Sequence, residues 1–94
     1  HVHTWADAPR QALMFGVTTE LDMFMDHRLA RTLREEQRTG RAAGRADVYS
    51  AGTLVTAPGG HGTEYGLPIP TLTLPDSAQA FVDARIAEGS DWIK

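Results

Sequence analysis

Strand-like and helix-like pieces alternate along these 94 residues, which predicts an α/β fold built on a parallel sheet with crossover helices. Three observations carry that prediction. Runs rich in apolar and β-branched residues begin near positions 17, 48 and 91, about 30 to 40 residues apart, which is the length of a βα unit. A charged, helix-periodic run lies between the first two, and a more apolar one between the second and third. An open flavodoxin-like sheet and a piece of a (β/α)₈ barrel both fit this order, a whole barrel needing about 250 residues.

Val2, flanked by His1 and His3, reads as a strand end or a loop. Arg10 to Phe15 is a short helix, with Pro9 suited to its first turn and Gly16 to its stop. Val17 to Phe24 is a strand. Asp26 to Thr39 is the clearest helix, with Asp26 as N-cap, Gly40 as terminator and a narrow stripe of Leu29, Ala30 and Leu33. Arg28, Arg31, Arg34, Glu35, Glu36 and Arg38 cover the rest, which reads as a solvated outer face of mixed charge pairs rather than a basic patch. Val48 to Thr56 is a strand weakened by Gly52, followed by a loop from Ala57 to about Leu72 rich in glycine and proline. Leu74 to Glu88 is a helix, with Thr73 and Asp76 spaced as a capping box. Ala78, Phe81, Val82 and Ile86 form its buried face, and Gly89 ends it. Asp91 to Lys94 starts another strand.

Composition narrows the function. Nine basic against twelve acidic residues leave a net charge of −3, so a nucleic-acid partner is not expected. The absence of cysteine removes disulfide scaffolds, thiolate metal sites and a cysteine nucleophile. The longest apolar run, Ala12 to Val17, is far too short for a membrane span, so no membrane partner is expected either. The chain starts at His1 without methionine and stops at Lys94 inside a strand pattern, and it is read as a segment, residues 1–94, of a longer single-domain protein.

Three places offer chemistry. On a strand, His1 and His3 point to one face, and two imidazoles there can chelate a divalent ion; incidental histidines give the same pattern. His61 sits in the glycine-rich loop Ala57-Pro58-Gly59-Gly60-His61-Gly62, after a strand, where parallel α/β folds build their sites; an exposed turn histidine is the plainer alternative. Lys94 taken alone is an ordinary strand-end lysine. Met14, Phe15, Met23, Phe24 and Met25 read as core, Trp5 and Trp92 as packed by default with the lining of a pocket as the alternative, and His27 as a surface residue beside a helix cap. No phosphate-binding fingerprint and no nucleophile elbow is present.

Taken in order, His1-Val2-His3-Thr4, Ala12-Leu13-Met14-Phe15-Gly16-Val17-Thr18-Thr19 with Asp22-Met23-Phe24, the His61 loop, and Glu88-Gly89-Ser90-Asp91-Trp92-Ile93-Lys94 resemble the amidohydrolase superfamily, in its imidazolonepropionase-like and dipeptidase-like branch. The resemblance runs over essentially the whole chain. It implies a partial (β/α)₈ TIM barrel, strands 1–4 with their helices. It implies that His1 and His3 bind a divalent metal, zinc foremost, as one or two ions. It implies that Lys94 is carboxylated and bridges the metals, and that His61 contacts substrate. The implied reaction is hydrolysis of a C–N bond in a small-molecule or peptide-like amide by metal-activated water. The further histidines and the aspartate that such a site needs are not among these residues, so the chain alone is expected to be inactive. Half a barrel would leave open edges and apolar faces, so marginal stability and self-association into a homo-oligomer are also expected. A non-catalytic α/β binding module is the competing reading. Copper binding through a free His1 amine fits poorly, because the proteins known for it are all-β.

Overall fold

The computed structural model describes residues 1–94. It contains three helices, α1 (Ala8–Met14), α2 (His27–Arg38) and α3 (Ala78–Glu88), and two strands, β1 (Thr19–Asp22) and β2 (Asp47–Ser50). The strands pair in parallel, Thr19 opposite Asp47 through Asp22 opposite Ser50, with α2 as the crossover. Short 3₁₀ turns occupy Thr63–Tyr65 and Pro75–Ser77.

The expected partial barrel of four strands is not what forms; the chain is a small α/β unit with a two-stranded sheet. Side chains that take over backbone partners explain the difference. After β1, the Asp22 carboxylate accepts the Phe24 N–H at 3.1 Å and bends the chain. After β2, the Ser50 hydroxyl accepts the Gly52 N–H at 2.8 Å, and Gly52 turns away with φ +61°. The outer edge of β2 is closed by side chains rather than by a strand. Gln37 Oε1 accepts from Val48 N–H and Asp91 Oδ2 from Ser50 N–H, each at 2.8 Å. An edge whose donors are already satisfied offers little to a pairing strand. The backbone of residues 91–94 therefore meets the rest of the chain through Asp91 N–H to Ser50 O and Val55 N–H to Lys94 O, each 2.8 Å, and forms no strand. On the other side, Val2 makes a single parallel bridge with Asp22.

The helices follow local chemistry. Asp26 caps α2, its Oδ1 accepting from Arg28 N–H at 2.8 Å and Leu29 N–H at 3.2 Å. The charges of α2 pair as an outer face does. Arg38 meets Glu35, Arg45 meets Glu36, and Arg34 meets Asp91 and lies over the Tyr49 ring. The expected capping box does not form: Pro75–Ser77 wind as a 3₁₀ turn, and α3 begins at Ala78 without a side-chain cap. The inward stripe of α3 is also shifted. Ile86 is 59% exposed, and Arg85 takes its place at 5%, its guanidinium over Phe81 and bonded to Glu88 Oε1 at 2.6 Å.

Burial is sparse and unusually polar. Fourteen residues are buried, and Thr4, Glu20, Asp22, Ser50 and Thr53 are among them beside Met25, Ala46, Val48, Ala51 and Leu54. A folded chain of 10.2 kDa exposes about 5,300 Å², against 6000 Å² here. Of the residues expected in the core, Met25 is buried, Met23 and Phe24 are half-buried, and Met14 and Phe15 lie in solvent at 79% and 87% exposure. Trp5 is likewise exposed.

One glycine is indispensable to this packing. Gly62 has φ +98°, and a Cβ there would fall on Leu54 Cδ1, in the small apolar core. Gly62→Ala is expected to cost about 1–3 kcal/mol from overpacking alone, read as a lower midpoint in urea unfolding. Gly59→Ala, where nothing lies within 4 Å of the added carbon, carries only the positive-φ penalty and serves as the comparison. Equal midpoints for the two variants would show that the loop does not seat on Leu54.

Candidate functional site

The first residues run beside the end of β1. Val2 N–H donates to Leu21 O and Met23 N–H donates to Val2 O, both at 3.0 Å. Val2 is level with Asp22, and Asp22 with Ser50. His3 therefore stands past the C-terminal ends of the strands, the end at which parallel α/β sheets bind ligands. The rings of His1 and His3 lie together, 5.6 Å between centroids and nearly perpendicular at 81°.

His3 opens on a recess of about 430 Å³ lined mainly by apolar residues, among them Trp5, Phe24, Met25, Leu29 and Tyr65. Phe24 and Tyr65 stack across it, centroids 6.0 Å apart. A larger hollow of about 620 Å³ has no hydrophobic residue in its lining, Arg31, Arg34 and Arg41 with Glu35 and Glu36 among it, and lies on the charged face of α2.

The loop after β2 places His61. Its tip is fixed by three bonds: Gly60 N–H to Ala57 O at 2.9 Å, Thr63 N–H to Gly60 O at 3.1 Å, and Thr63 Oγ1 to Gly60 O at 2.7 Å. The Glu64 carboxylate binds back to the loop, accepting from Gly62 N–H at 2.5 Å and meeting His61 Nδ1 at 2.9 Å. That contact selects the tautomer with the proton on Nδ1, leaving Nε2 as an acceptor. Glu64 is held below the usual carboxylate value, first by its own backbone N–H, then by the Gly62 N–H and the His61 ring. His61 packs edge-on against Tyr65, centroids 5.9 Å apart, and shares with Lys94 a small hollow of about 120 Å³ beside Leu54.

The residues singled out in the sequence thus fall into two neighbouring groups. His1 and His3 are together; His61 and Lys94 are together; Tyr65 lines the recess on which His3 opens, stacked on Phe24, and is edged by His61. His3 and Lys94 do not line a common recess. No three of the histidine, aspartate and glutamate side chains gather as a metal-holding group. His27 is half-buried, its Nδ1 3.5 Å from Thr53 Oγ1 and 3.9 Å from Glu88. Sequence reasoning passed over Glu64, although its position three residues after His61 was a usable signal. It also passed over Tyr65 as the link between the two groups. Comparison of the chain with protein-family models, curated proteins and solved structures finds no match.

The depressed Glu64 carboxyl makes the loop acid-sensitive. A lowered folded-state value contributes stability that is present above the unperturbed 4.5 and lost as pH falls through the folded value. The protection of the Gly62 amide, taken relative to α2 so that the intrinsic pH dependence of exchange cancels, is expected to hold above pH 4.5 and to fall at more acid pH as Glu64 is protonated. Glu64→Gln should erase the transition; an unchanged acid profile in that variant would remove Glu64 from the account.

Proposed function

We propose that this chain supplies the first metal ligands of a metal-dependent hydrolase that cleaves C–N bonds in small or peptide-like amides. The observation that carries the reading is the His1–His3 pair. Neutral imidazole is a common ligand of zinc, and two of them side by side could hold one ion. The two rings adjoin, 5.6 Å between centroids, and lie at the ligand-binding end of the strands.

In this reading His1 and His3 hold one of the ions. A bound ion lowers the pKa of a water toward neutrality and polarises the scissile carbonyl. The chain's own residues do the rest. Lys94 would act after its ammonium loses one proton and the neutral amine adds to carbon dioxide, forming an N–C bond as one C–O π bond opens and a second proton leaves; a cation that cannot ligate thereby becomes an anion with two oxygens. His61, with Nδ1 committed to Glu64, accepts a hydrogen bond from a substrate N–H at Nε2. The aromatic recess beside His3 receives an apolar group of the substrate and keeps water from it.

The second reading, a non-catalytic α/β binding module with incidental histidines, is favoured by the separate recesses of His3 and Lys94. Calorimetric zinc titration decides between them. The hydrolase reading expects saturable binding of zinc, weakened about tenfold or more by His1→Ala or His3→Ala and unaffected by His27→Ala. Equal zinc content in wild type and His3→Ala would leave the binding module standing.

A further inference from the structure

Asp22 is the least expected residue in the interior. It is fully buried, at 0% exposure, yet it is a carboxylate at the end of a four-residue strand. Burying a carboxylate is costly unless its oxygens are bonded, and here they are. Oδ1 accepts from Thr4 N–H at 2.8 Å; Oδ2 accepts from Ser50 Oγ at 2.5 Å and from Phe24 N–H at 3.1 Å. The three donors belong to three different segments: the histidine-bearing arm, the end of β2, and the bend that presents Phe24 to the recess. With every donor drawn to it from the backbone or a buried hydroxyl, Asp22 has no oxygen directed to solvent and does not serve as a ligand.

We propose that Asp22 is the positioning residue of His3, the inner member of the His1–His3 pair. Two anchors bracket His3. Before it, Val2 is tied into the sheet by its paired backbone bonds. After it, Thr4 is held twice, by Asp22 through its N–H and by Glu20 Oε2 through its hydroxyl at 2.6 Å. A chain fixed on both sides of His3 leaves only side-chain rotation to settle on binding, so the ordering cost of the arm is met before a ligand arrives. An apolar residue at position 22 would fill the space but hold none of the three segments. The same carboxylate sets Phe24, so the imidazole and the wall of its recess are registered against one group. The role rests on the reading of His1 and His3 as metal ligands.

The test uses the full 94-residue chain and two readouts. Cobalt(II) titration by visible absorption reports the ligand pair. Amide exchange at Val2, Thr4 and Met23 reports the arm without any metal, with α2 amides as the reference for intact fold. Asp22→Asn keeps the shape but opposes an amide NH₂ to Phe24 N–H or Thr4 N–H. It is expected to speed exchange at Thr4 and Val2 and to weaken cobalt about tenfold, with α2 unchanged. If α2 also loses protection, Thr4→Pro decides, since it removes the N–H that donates to Asp22 and leaves the carboxylate its other two donors, with Thr4→Val as the control for the hydroxyl bond to Glu20; cobalt affinity lowered about tenfold in Thr4→Pro and less in Thr4→Val supports the role. Ser50→Ala, which leaves the Thr4 bond in place, should weaken cobalt less than Asp22→Asn. Cobalt affinity equal to wild type in Asp22→Asn, or in Thr4→Pro where Asp22→Asn loses its fold, overturns the proposal, whether or not the arm loosens. Absence of His3-dependent cobalt binding in the wild type overturns the hydrolase reading and this role with it, and the exchange data then separate that failure from a clasp that does not hold.

Discussion

A single buried carboxylate organises this chain. The Asp22 side chain draws together the first residues, the turn after β1 and the end of β2 through three hydrogen bonds. Charge-assisted bonds of this kind are stronger than neutral ones, and they must be, because little apolar burial supports them. Leu54, Val48, Ala51, Ala46 and Met25 form a small core. The strand faces turned inward carry Glu20, Asp22 and Ser50. The interior is therefore directional rather than greasy, and its geometry depends on donors finding one acceptor.

The same substitution of side chains for backbone explains the extent of the sheet. β2 could have gained a neighbour on its outer edge, but Gln37 and Asp91 occupy its free N–H groups. β1 gains only the Val2 bridge, because the arm turns to give Thr4 to Asp22 instead of continuing the ladder. Periodicity in the sequence reports hydrophobic faces, and it placed α2, its Asp26 cap and the parallel β1–β2 pair. It does not report that an aspartate or glutamine will take a ladder position. That is why residues 17–24 and 48–56 read as long strands and fold as four-residue ones, and why the barrel reading failed. The shifted stripe of α3 has a related cause: Arg85 lays its stem and guanidinium along Phe81, which a hydrophobicity pattern assigns to Ile86.

The candidate site was legible in part. Spacing alone brings His1 and His3 to one face, and the rings do adjoin. The glycine-rich stretch marked His61, and its partner Glu64 lay within reach of the same inspection. The grouping of His61 with Lys94, and the aromatic link through Tyr65 to the recess of His3, depends on how the loop from Ala57 to Leu72 folds back. Gly62 against Leu54 and Leu72 N–H to Thr56 O set that fold, and neither leaves a local pattern. What emerges is an imidazole pair at the mouth of an apolar recess, with a carboxylate-oriented histidine one aromatic ring away.

The central claim is that the Asp22 carboxylate holds the histidine arm, and the hydrogen bond itself is open to measurement. Scalar coupling across a bond from an amide nitrogen to a carboxylate carbon is detectable by NMR when the bond is short and persistent. At 2.8 Å, the Thr4 amide nitrogen should show a correlation to the Asp22 side-chain carboxylate carbon. Its absence, together with a Thr4 amide that exchanges as fast as in an unstructured peptide, would mean that the arm is free and the account is wrong.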